Sequence, residues 1–236
     1  MRSLAPLGSG TKGARLLAQL RRARILSSEM RMRRRGLLIT FEGGDGTGKS
    51  TQIALLALAL RKKSRRVFIT REPGGTALGE QVRKILLSGS AIHPRSELLL
   101  FEASRAELVE SVLRPKLQKG NVVLCDRFED SSLAYQGLVR GLGLALAKSA
   151  NHLATGGLKS DFIVLLDTQR SETSRRRLKK RGKMDRFESE RASFHRRVRQ
   201  AYLKLAKTDR RFHIYPAELS KDEIHARIWR DIQRLL

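Results

Sequence analysis

The 236-residue chain predicts an α/β fold on a mostly parallel sheet. Two observations carry this. From Gly36 onward, short apolar runs of strand length alternate with segments of helical period. The first such pair is joined by a glycine-rich loop ending in Lys-Ser, a join that needs a strand before it and a helix after it.

The elements follow in order. Leu37-Leu38-Ile39-Thr40-Phe41 is a short apolar run, read as a buried parallel strand. Thr51–Lys62 places Ile53, Leu56 and Leu60 at helical spacing. Further strands are read at 67–69, 122–125, 162–166 and 212–215, making five in all. Helical patterns fill the gaps at 78–87, 97–119, 142–153, 172–180, 189–207 and 221–236. Residues 14–26 read as a short basic amphipathic helix ahead of the first strand.

Composition bounds the function. About 40% of the residues are apolar, enough for a sizeable core. One cysteine, Cys125, excludes an internal disulfide and a cysteine zinc site. No apolar run reaches the roughly 18–20 residues of a membrane span, so no membrane partner is expected. The net charge of +26 points to anionic partners, and it is unevenly placed. Residues 1–35 carry +9, residues 169–213 carry +12 and the remainder +5. Residues 1–35 are therefore expected to be a basic, disordered extension, or the product of an upstream start with translation beginning at Met30 or Met32. An organellar presequence is the alternative. Residues 36–236 form the working domain. The cysteine usage points to a reducing compartment and the cytoplasm, or to an organelle if the arm is a presequence.

Gly43-Gly44-Asp45-Gly46-Thr47-Gly48-Lys49-Ser50 satisfies G-x-x-x-x-G-K-[ST]. Such a loop wraps backbone N–H groups around phosphate oxygens, and the helix behind it adds its N-terminal dipole. Lys49 is expected to bridge the β- and γ-phosphates of a triphosphate such as ATP, and Ser50 to hold Mg²⁺. The triphosphate-binding set is Gly43, Gly44, Asp45, Gly46, Thr47, Gly48, Lys49, Ser50 and Thr51. Asp126 ends the third strand, where a carboxylate is placed to help hold the same Mg²⁺. Arg127 beside it can fork onto a phosphate. The turn 70–76, with Arg71 and Glu72, reads equally as a substrate wall or a plain Pro-Gly turn. Phe101 and Arg105 share a helix face; taken alone, they read as a packed Phe and a solvated Arg.

Together, Phe41-Glu42-Gly43, Arg71-Glu72-Pro73-Gly74-Gly75-Thr76, Phe101-x-x-Ser104-Arg105, Asp126-Arg127-Phe128-x-x-Ser131-Ser132-x-Ala134-Tyr135-Gln136-Gly137 and Arg181-Gly182-x-x-Asp185-Arg186-Phe187-Glu188 occur in the order seen in bacterial-type thymidylate kinases. Residues 36–236 resemble that family. The resemblance implies a P-loop kinase fold with a five-stranded parallel sheet and a mobile lid at about 175–190. It implies transfer of the ATP γ-phosphate to dTMP with Mg²⁺, in a homodimer. By similarity, Phe101 stacks on thymine and Arg105 bonds its edge, favouring a pyrimidine. Arg127 and Arg83 meet the monophosphate, and Asp45 faces the sugar 3′-hydroxyl and the transfer centre. Glu72, Ser132 and Gln136 line the nucleoside pocket. The lid cations Lys179, Arg181 and Arg186 approach the ATP phosphates, and with Lys49, Asp45 and Arg127, Arg181 completes the catalytic set. The alternatives are a kinase for another nucleoside monophosphate and, less favoured, a nucleic-acid-binding NTPase. The aromatics between residues 169 and 213 fall at core spacings, unlike an interleaved nucleic-acid surface. The five histidines belong to no motif and are expected at the surface or in packing.

Overall fold

The computed structural model describes residues 36–169 and 185–236. Among these, five strands form one parallel sheet: β1 (Leu37–Gly43), β2 (Val67–Arg71), β3 (Val122–Asp126), β4 (Phe162–Asp167) and β5 (Phe212–Pro216). Their spatial order is β2-β3-β1-β4-β5. Central β1 pairs Leu37 with Val122 on one side and Ile39 with Phe162 on the other. Its apolar run has no solvent-facing side, because helices cover both faces of the sheet.

The helices are α1 (Lys49–Lys62), α2 (Ala77–Leu87), α3 (Pro94–Leu108), α4 (Arg114–Gln118), α5 (Glu129–Ser132), α6 (Leu144–Thr155), α7 (Ala192–Ala206) and α8 (Lys221–Ile232). Successive residues of β4 serve opposite layers, as the two-residue strand period requires. Phe162, Val164 and Leu166 pack with Leu56 and Leu60 of α1 and Ile224 and Ile228 of α8. Ile163 and Leu165 pack with Phe194, Val198 and Tyr202 of α7. Each fully buried aliphatic side chain here contributes about 1.5–3 kcal/mol. A third cluster joins Leu38, Val123 and Cys125 to Leu108, Leu113 and Leu117 on the α3–α4 segment.

Several boundaries differ from the sequence expectation. The helix expected at 97–119 begins at Pro94, with His93 as its N-cap, and is interrupted by a π-helical turn at Val109–Leu113. A helix begins at Pro94 because proline lacks the N–H that the first turn leaves unpaired in any case. The stretch after β3, not among the expected helices, forms α5 and a π-helical turn at Leu133–Val139. The helices expected at 14–26 and 172–180, and most of the lid segment, lie outside the described residues.

Candidate active site

The strands' carboxyl ends open onto a cavity of about 340 Å³, at the end of the sheet where parallel α/β folds bind ligands. β1 delivers the phosphate loop there. Gly43 has φ +126, and a Cβ on it would sit 2.4 Å from the Leu166 carbonyl oxygen. Gly48, at φ 102, caps α1 in a left-handed conformation open to glycine at no steric cost. Lys49 is the first residue of α1. Its ammonium donates to the Gly44 carbonyl at 2.9 Å and the Gly43 carbonyl at 3.3 Å. Burial and the neighbouring Arg127 charge lower its pKa. Thr47 Oγ1 donates to the Gly44 carbonyl, closing the loop on itself.

Asp45, Gly46, Gly48, Lys49, Ser50 and Thr51 line the cavity. Gly43 and Gly44 face an adjoining cleft of about 170 Å³, which Asp45 also lines, between the loop, β4 and α7. His195 of α7, half-buried and edge-on to Phe194 at 5.9 Å between ring centres, lines that cleft too. His213 does pack, stacked on Phe162 at 3.9 Å between ring centres.

Arg127 follows β3 with φ +72, a strained conformation for a side-chain-bearing residue. Its Nη2 meets Asp45 Oδ1 at 2.7 Å. Its Nη1 donates to Tyr202 Oη at 3.2 Å and Ser131 Oγ at 3.4 Å. Burial opposes ionisation of Asp45, but the Arg127 and Lys49 charges hold its carboxyl below the ordinary value. Beneath this pair lies Glu42, fully buried. It accepts from the Phe128 N–H at 2.8 Å, Ser131 Oγ at 2.7 Å and Tyr202 Oη at 2.7 Å. Burial raises its pKa, offset in part by Arg127 and these three donors.

Ser50 Oγ lies 3.4 Å from Asp126 Oδ2. Asp126 Oδ1 is buried and has no hydrogen-bond partner among the described residues. Two hard oxygen donors, one of them unsatisfied, fit a small divalent cation such as Mg²⁺.

On the acceptor side, Glu72, Arg83, Phe101, Ser132 and Gln136 all line the cavity with Arg127. Arg83 Nη1 is held by the Pro73 carbonyl at 2.9 Å. Phe101 packs against Phe187 with ring centres 5.9 Å apart, and Tyr135 meets Phe187 edge-on at 5.9 Å. Arg105 departs from the reading as a solvated side chain beside Phe101. It is 1% exposed and sits behind the cavity wall. Its Nε donates to Glu72 Oε2 at 2.8 Å, and its Nη2 donates to the Phe128 carbonyl at 3.1 Å. Its Nη1 is shared among Glu102 at 2.6 Å, Asn151 at 2.6 Å and Ser132 Oγ at 3.0 Å. The guanidinium thus forms the floor beneath Ser132 and Glu72. Burial raises the Glu72 pKa to about 7, with the Arg105 charge opposing.

Arg186, expected near the ATP phosphates, lines neither the cavity nor the adjoining cleft. Its Nη2 pairs with buried Glu97 Oε2 at 2.6 Å and its Nε donates to the Leu86 carbonyl at 3.1 Å. Arg181 lies outside the described residues. Sequence reasoning gave no role to Glu42, Tyr135, Tyr202, Phe187 or Glu97. The first, second and fourth stood inside quoted motifs; nothing in the spacing marked Tyr202 or Glu97.

A family model described as thymidylate kinase matches residues 41–228. The chain is 48% identical to the thymidylate kinase of Deinococcus radiodurans over 196 residues, covering 82% of this chain and 95% of that protein. It is 45% identical to that of Halothermothrix orenii over 205 residues, covering 86% and 99%. The crystal structure of thymidylate kinase from Ehrlichia chaffeensis superposes with a TM-score of 0.71 at 31% identity, covering 84% of this chain and 99% of that one.

Proposed function

Because the chain belongs to the thymidylate kinase family, we infer that it transfers the γ-phosphate of ATP to dTMP, giving dTDP and ADP. The observation that carries the reading beyond family membership is one cavity lined by Lys49, Arg127 and Phe101, which brings a triphosphate loop, a phosphate-binding guanidinium and an aromatic platform together. A dTMP phosphate oxygen attacks the γ-phosphorus, and the bond from that phosphorus to the β–γ bridging oxygen breaks. The acceptor is ionised near neutral pH, so no strong general base is needed. The protein supplies position and positive charge.

The loop N–H groups and Lys49 hold the triphosphate. Asp45 aims Arg127, which takes the dTMP phosphate with Arg83 and leaves Asp45 beside the sugar 3′-hydroxyl. Phe101 stacks on thymine. Ser132 and Gln136 meet its edge, with Arg105 beneath Ser132 reaching the base only by exchanging one of its protein partners. Glu72 closes the pocket wall. Ser50 and Asp126 are the residues that would hold Mg²⁺, whose charge offsets the negative phosphate oxygens. Arg181 supplies a further cation to the transferring group. The test is ATP consumption with dTMP, dUMP, UMP, dCMP, AMP and GMP. The expected order has dTMP first; another acceptor in first place overturns the assignment.

Residues 36–236 are the kinase domain in this reading and residues 1–35 an extension. The family match beginning at residue 41 supports it. Deleting residues 1–29 is expected to leave turnover and the thermal midpoint unchanged, and a substantial loss in either refutes the division. Among the described residues no helix is long and apolar enough to cross a membrane, and the bacterial relatives support a cytoplasmic setting, checked by fractionation. A homodimer is supported by large apolar side chains left exposed on α2, α3 and α6, among them Ile85, Leu99 and Leu153.

A further inference from the structure

Glu97 lies in the first turn of α3, is 0% exposed, and does not line the cavity. Its Oε1 accepts from Gln136 Nε2 at 2.7 Å and lies 3.5 Å from Arg140 Nε. Its Oε2 takes Arg186 Nη2 at 2.6 Å. A carboxylate between two guanidinium groups only accepts hydrogen bonds. It therefore settles a choice that an amide leaves open, namely which end of Gln136 carries the N–H groups. The NH₂ end is turned to Glu97, and Oε1 is left as the acceptor that Gln136 brings to the cavity it lines.

We propose that Glu97 is a positioning residue that fixes the Gln136 amide so that the site selects a pyrimidine bearing an N3–H. The inference rests on the dTMP kinase reading above. Thymine and uracil offer a donor at N3. Cytosine offers a lone pair there, which meets the Oε1 lone pairs and is repelled. A site that hydrogen-bonds one edge discriminates strongly because the wrong edge leaves its polar groups unpaired. Glu97 exerts this effect without touching the base. Glu97 also holds Arg186, whose guanidinium lies 4.5 Å from the centre of the Phe187 ring, so the carboxylate braces two parts of the same wall.

The experiment compares kcat/KM for dTMP and dCMP in the wild type, E97Q, Q136L and E97Q/Q136L. In E97Q the new side-chain amide can donate to Gln136 Oε1, freeing the Gln136 amide to turn over. The dTMP/dCMP ratio is expected to fall about ten- to a hundred-fold, through a higher KM for dTMP more than a lower kcat. Q136L is expected to cause a similar fall, and the double variant no more than the larger single effect, as for residues acting on one path. An unchanged ratio in E97Q, or fully additive losses in the double variant, overturns the proposal. If E97Q alone fails to fold, E97Q/R186M removes the facing charge with it and reads the same ratio. A wild type without dTMP activity would instead refute the functional reading, so the two failures are told apart.

Discussion

Arg105 has five N–H donors, and all of them meet protein groups. Two carboxylates, Glu72 and Glu102, depend on that one cation. Removing it leaves them buried without a partner. Arg105→Ala is therefore expected to cost about 3–5 kcal/mol of stability, read from chemical denaturation. The exposed pair Arg71–Glu80 should contribute about 0–1 kcal/mol, and comparable losses from R105A and R71A would contradict this account. The shared cation also bears on pH. Burial raises Glu72 from 4.5 to about 7. Between these values the folded protein keeps a proton that the unfolded chain releases, so this group's stabilising contribution is complete below 4.5 and lost as pH rises to about 7. Across that window, the wild-type thermal midpoint is expected to fall relative to Glu72→Gln. Parallel curves would show that Glu72 does not titrate there. The sequence displayed the Phe101–Arg105 spacing but not the burial of Arg105, because Glu72 and Asn151 reach it from distant parts of the chain.

At the scale of elements, the predominantly apolar runs of β1, β3 and β4 were legible because both faces of these strands are covered. Edge strand β2 was legible too, although Ile69 is 41% exposed. Helix ends were less so. The π-helical turns at 109–113 and 133–139 depart from the 3.6-residue period on which sequence reading relies. The join of β1 to α1 gives the sharpest expectation. A methyl group on Gly43 meets a β4 carbonyl as well as an unfavourable φ. Gly43→Ala is expected to lower the thermal midpoint and weaken ATP binding together, measured by calorimetry with and without nucleotide. Retention of normal ATP affinity would show that the loop tolerates the shift.

For the molecule as a whole, α3 packs between α2 and α6, and leucines remain exposed on this side, Leu99 at 66% and Leu153 at 86%. The homodimer proposed above would cover these side chains. Leu99→Glu with Leu153→Glu is expected to convert a dimer to a monomer in sedimentation velocity. A monomeric wild type would dispose of the homodimer. The candidate site was legible in its phosphate loop and acceptor motifs, since each is a contiguous string. The buried groups behind it were not, since Glu42–Tyr202 and Glu97–Arg186 join residues far apart in sequence.

The place of β1 in the sheet also governs how the chain acquires its structure. β1, the first of the described strands to leave the ribosome, becomes the centre of the sheet, and its neighbours begin only at Val122 and Phe162. Until β4 emerges, a largely apolar ribbon lacks one of its two partners. Such long-range pairing slows folding and prolongs the exposure of unpaired strand edges. The nascent enzyme is thus most open to aggregation, and most in need of chaperone shelter, while the phosphate loop has already been synthesised but has no sheet to hold it.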